Sequence, residues 1–112
     1  MQKEYMLKKN REFRYVCSRG ASVSDRYLVL LTVKNRMGLK VGFSVGKKIG
    51  NAVKRNHVKR LLRECARRLL PDCPQNYSYL FIARSSSADA GYEQLYSSMS
   101  RLLAKSAEQK QK

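Results

Sequence analysis

"KVGFSVGKKIGNAVKRNHVKRLLRECARRLL", residues 40–70, changes its period partway along, and that change decides the fold. At first Val41, Phe43 and Val45 alternate with Gly42, Ser44 and Gly46. Period two sends successive side chains to opposite faces of a strand. A strand face made of Gly and Ser has little bulk; it either lies under a close backbone or leaves open floor for a ligand. From Asn51 the pattern becomes helical. Asn51 follows Gly50 and is a favourable N-cap. Pro71 disfavours helical backbone at Leu70, which predicts the stop. On a wheel of about 100° per residue, Val58, Leu61, Leu62, Cys65 and Leu69 share the face expected to pack on the sheet. Asn56, Arg60, Arg63 and Arg67 form a stripe on the opposite face, flanked by Arg55 and Lys59.

Residues 48–70 carry eight Lys and Arg and one acid, Glu64. Like charges a turn apart repel by a few tenths of a kcal/mol per pair. A row of phosphates offsets that repulsion, since each neutralised phosphate releases counterion. The plain alternative is a solvated face with snorkelling Arg stems. One acid among so many bases favours nucleic-acid contact.

On either side of this stretch the chain repeats the same two periods. Phe13, Val16 and Cys17 have helical spacing and Gly20 is a natural stop. "YLVLLTVK", residues 27–34, and "NYSYLFIAR", residues 76–84, read as strands, and "NRMG", residues 35–38, as a turn. Tyr92, Leu95, Tyr96, Met99, Leu102 and Leu103 mark a final helix. Residues 105–112 are expected to fray and residues 1–9 to be loosely held, leaving about 7–104 ordered in a single domain over 1–112. Helix, strand, strand, long helix, strand, helix implies an α+β fold, a mixed sheet with helices packed against it.

The 112 residues suffice for one modest core. Apolar residues make up 43%, too many for a disordered tract. Lys and Arg number 24 against 8 acids, a net charge of +16 that calls for a polyanionic partner. No apolar run spans a bilayer and residues 1–9 lack a signal-peptide core, so neither membrane nor export is expected. Cys17, Cys65 and Cys73 form no CxxC pair or disulfide framework, which points to the reducing cytoplasm. A protein-based catalytic centre is not expected. There is one His, which cannot form a His pair, and it is assigned no catalytic role. Asp25, Asp72 and Asp89 are scattered, and no cysteines have zinc spacing. Tyr77, Tyr79 and Phe81 alternate along a strand and read as core.

"GFSVGKKIGNAVKRNHVKRLLRE", residues 42–64, resembles the signature of the protein subunit of bacterial ribonuclease P, with its Arg-Asn pair and basic helix matched by Arg55, Asn56, Lys59, Arg60 and Arg63. "LKKNREF", residues 7–13, resembles the start of the family's first helix, and "IARSSSA", residues 82–88, its last strand and following loop. The similarity runs from about Leu7 to Leu103. It implies an α/β sandwich with a four-stranded mixed sheet and a left-handed βαβ crossover, the exception to the usual hand. A fourth strand is then expected near residues 20–34 or at an edge.

The resemblance also implies a function. Family members bind a catalytic RNA subunit, and the holoenzyme removes the 5′ leader of precursor tRNA using Mg²⁺ bound mainly by RNA. The chemistry is metal-assisted phosphodiester hydrolysis. RNA-subunit contacts fall on Arg55, Asn56, Arg60 and Arg63, with Lys59 in support and Arg67 continuing the stripe. The leader cleft falls on Phe13, Val29, Ser44 and Lys48. Phe13 stacks on a base or packs helix to sheet; both readings stand. Cys17 and Leu31 occupy cleft positions that are often aromatic in the family, so leader contact beyond Phe13 is expected to rest more on backbone charge and van der Waals contact. The expected partners are the RNA subunit and precursor tRNA, with no DNA and no membrane. The alternatives are a basic structural RNA-binding protein, such as a ribosomal protein, and a stand-alone nuclease.

Overall fold

The computed structural model describes residues 10–35 and 38–110, with the side chains of 10–13 and 109–110 excepted. In chain order the elements are α1 (Asn10–Arg19), β1 (Ala21–Ser24), β2 (Leu28–Lys34), β3 (Lys40–Ser44), α2 (Ala52–Leu69), β4 (Tyr77–Ala83) and α3 (Tyr92–Lys110). Short 3-10 turns follow β3, α2 and β4.

The sheet order is β1-β2-β4-β3. β1 pairs antiparallel with β2, and β2 with β4. β3 runs parallel to β4, so β3–α2–β4 is a crossover between neighbouring strands. The fourth strand is β1, both near residue 20 and at an edge. Its residues "ASVS" show little apolar alternation, because only Val23 is even half-buried.

Period two sorts the sheet residues between its faces. Leu28 and Leu30 of β2, Val41 and Phe43 of β3, and Tyr79 and Phe81 of β4 enter the core beneath α2 and α3. The Phe43 and Phe81 rings stack at 5.9 Å. From α2 come Val58, Leu62, Cys65 and Ala66, and from α3 Leu95, Met99, Leu102 and Leu103. Leu61 and Leu69 pack at its margin, as the wheel predicts. Fully burying one such aliphatic side chain is worth about 1.5–3 kcal/mol. Burial raises the Cys65 thiol to about 11, with the Glu64 charge adding to the effect, so it packs as a neutral apolar group.

On the other face, Val16 of α1 seats on Leu80, with Leu31, Val33 and Ile82 around it. Gly20 is required where α1 ends. A Cβ there would stand 2.5 Å from the Val16 carbonyl oxygen. Asn51 caps α2 as expected, accepting from the Lys54 backbone N–H at 3.0 Å. Gly50 before it has φ of +143°, a conformation that suits glycine. α3 continues through the expected frayed tail to Lys110, and its Ser106 is buried against Thr32. Among the described residues no helix is long and apolar enough to cross a membrane.

Candidate nucleic-acid interface

Two basic surfaces meet the rest of the molecule differently. The first is the outer face of α2. Asn56, Arg60, Arg63 and Arg67 are all exposed, while Arg55 and Lys59 are half-buried along its flank. The stripe is not uniform. Glu64 pairs with Arg67 and also with Arg68, the latter at 3.3 Å. The Arg67 hydrogen bond holds the Glu64 carboxyl below its ordinary range, with both arginine charges contributing. Lys54 pairs with Asp89 at 3.4 Å. Among the described residues Arg60, Arg63 and Lys59 have no acidic partner, so their charge is available to an external anion. The Arg55 Nε is buried without a hydrogen-bond partner among them.

The second surface is the sheet face beneath α1. Cross-strand register aligns Val29, Ile82 and Ser44 in one row, and Leu31, Leu80 and Gly42 in the next. Two of the residues assigned to the leader, Val29 and Ser44, therefore flank Ile82. Gly42 is buried, next to the Leu80 on which Val16 seats, so it offers no open floor. The floor begins at Ser44 and continues to the exposed Gly46, where an added Cβ would meet nothing. Gly46 lies beyond the strand, which stops at Ser44.

From Ser44 an open groove runs past the carboxyl ends of β3 and β4, lined by Lys47, Lys48, Ile82, Arg84 and Ser85 among others. Ser44 and Lys48 are thus brought together, and Ile82 links them to Val29. Phe13 is on α1, but its side chain lies outside the described residues. Of the two cleft positions without an aromatic ring, Cys17 is exposed and Leu31 packs beside Val16. The reading from sequence gave no role to Lys47, Ile82 or Arg84. A signal was available for two of them, because period two from Leu80 through Ile82 continues to Arg84. Among the described residues no three His, Cys, Asp or Glu gather to hold a metal ion.

A basic helix stripe and a cation-rimmed groove can together hold two stretches of phosphate backbone. The sequence profile of the family described as Ribonuclease P matches residues 1–107. A ribonuclease P protein component from Clostridium botulinum (strain Loch Maree / Type A3) is 47% identical over 105 residues, covering 92% of this chain and 95% of the relative. A Staphylococcus aureus RNase P protein structure, of a mutant with defective mRNA degradation activity, superposes with a TM-score of 0.85 at 33% identity, covering 94% of this chain and 90% of that one. The RNase P protein from Thermotoga maritima does so with a TM-score of 0.81 at 28% identity, covering 89% and 96%. With sequence and fold matched over nearly the whole length, the chain belongs to the ribonuclease P protein family.

Proposed function

We propose that this ribonuclease P protein subunit divides its work between its two basic surfaces. The α2 stripe, Asn56, Arg60 and Arg63 with Arg55, Lys59 and Arg67, binds the RNA subunit. The groove from Ser44 to Lys48, with Lys47 and Arg84 on its rim and Val29 paired beside its Ile82, holds the single-stranded 5′ leader of precursor tRNA together with Phe13. Hydrolysis and its Mg²⁺ stay with the RNA, and the site of action is the cytoplasm. The observation that carries the reading is the groove, which joins a low floor at Ser44 to three cations and no acid. Such a groove suits an extended strand held by its backbone with little sequence preference. A ribosomal protein has no reason to distinguish a leader, and the family match does not favour that alternative.

The reading is tested by binding of precursor and mature tRNA to the reconstituted holoenzyme at fixed salt and Mg²⁺. Lys48→Ala, Phe13→Ala and the space-filling Ser44→Phe are expected to weaken binding of the precursor alone. The stacking residue is expected to account for about 1–3 kcal/mol. Equal losses for both tRNA forms would place the leader elsewhere.

A further inference from the structure

Asp25, in the turn between β1 and β2, is the most heavily bonded acid among the described residues, and neither basic surface includes it. Its Oδ1 accepts from the backbone N–H of Tyr27 at 2.9 Å and of Leu28 at 3.0 Å. Its Oδ2 accepts from Ser98 Oγ at 2.6 Å and Arg101 Nη2 at 3.2 Å, both on α3. The carboxylate thus ties the turn to the helix layer behind the sheet.

The same turn grips the groove. Its three consecutive carbonyls all accept from residues 84–86. Asp25 O accepts from Arg84 Nη1 at 3.2 Å, Tyr27 O from the Arg84 backbone N–H at 2.9 Å, and Arg26 O from the Ser86 hydroxyl. Arg84 and Ser85 line the groove. One guanidinium N–H is committed to the turn, and the rest of the fork stays free for a phosphate. An otherwise mobile arginine is thereby held in place before any ligand arrives, which lowers the ordering cost of binding.

We propose that Asp25, fixed from α3 by Ser98 and Arg101, is a positioning residue that holds Arg84 ready for a leader phosphate. The inference rests on the leader-groove reading above. It assigns leader affinity to residues on the far side of the sheet that do not themselves touch RNA.

The test is a double-mutant cycle between Asp25→Ala and Arg84→Ala in the reconstituted holoenzyme, reading the ratio of precursor to mature tRNA affinity. Each single change is expected to lower that ratio about 3- to 10-fold, the range of one hydrogen bond's net contribution. The double variant should lose no more than Arg84→Ala alone, because Asp25 acts through Arg84. Asp25→Asn, which keeps an acceptor for the turn and a donor or acceptor for Ser98, should retain most of the ratio. If Asp25→Ala does not fold, Ser98→Ala takes its place in the same cycle. Additive losses, or equal losses for precursor and mature tRNA, would reduce Asp25 to a purely structural role and overturn the proposal. A wild-type holoenzyme with no leader preference would instead sink the groove reading, and this inference with it.

Discussion

Arg67 donates to the Glu64 carboxylate one turn behind it, while Arg63, also exposed on the same helix, has no acidic partner among the described residues. The α2 stripe is therefore graded in its availability to an anion. Arg60→Ala with Arg63→Ala is expected to weaken assembly with the RNA subunit strongly. Arg67→Ala should do so less, and Glu64→Gln should tighten it by releasing Arg67. All of these positions lie off the buried face, so circular dichroism should show an unchanged fold. Filter-binding titrations measure the ranking, and a larger loss from Arg67→Ala than from the double variant would reverse it.

Salt should act steeply on the same contacts. With roughly 6–10 phosphates engaged, log affinity against log salt concentration should slope by about −4 or more steeply. The +16 charge and the uncompensated Arg60 and Arg63 motivate this. A nearly flat dependence would remove the electrostatic basis of the interface.

Acid should loosen the β1–β2 turn. Burial by itself raises the Asp25 carboxyl, but hydrogen bonds from Ser98, Leu28 and Tyr27 and the Arg101 charge outweigh it and hold the group below its ordinary value. A depressed folded-state pKa gives stability that is fully present above the unfolded value of about 3.9 and is lost as pH falls through the lower folded value. Urea unfolding followed from pH 7 to pH 2 should show this loss at the acid end. Asp25→Asn should be less stable at pH 7 and should show a shallower acid decline. An identical decline in both proteins would mean that other carboxylates dominate.

The end of α3 supplies a further stability test. Ser106 Oγ and Thr32 Oγ1 lie 3.3 Å apart, both buried, and tie the last turns of the helix to β2. Ser106→Ala leaves the Thr32 hydroxyl without that partner and should cost about 1–3 kcal/mol in denaturant unfolding. An unchanged midpoint would show that the last turns contribute nothing.

These relationships show where sequence reading succeeds and where it stops. The period change at residues 40–70 located β3, α2 and both faces of α2, because periodicity is set by backbone geometry and burial alone. β1 was harder to see, since a short polar edge strand depends on β2 for its pairing. Serines spaced like Ser98 and Ser106 look like ordinary surface residues until the sheet is placed beside them. The helix through Ser106 was hard to foresee for that reason, its polar residues concealing a buried hydroxyl. The Arg67–Glu64 pairing was within reach, being three residues apart on one helix. The groove required tertiary register, because only strand pairing brings Ser44 beside Ile82 and Arg84 near Lys48.

The most direct measurement is reconstitution of the purified protein with a bacterial ribonuclease P RNA at low Mg²⁺, assayed for removal of the 5′ leader from precursor tRNA. The expected result is leader removal that requires both components, is stimulated by the protein where the RNA alone is weak, and falls with Arg60→Ala plus Arg63→Ala. Leader removal by the protein without RNA, or no stimulation of the RNA by a folded protein, would contradict the assignment of this chain as the RNA-binding subunit.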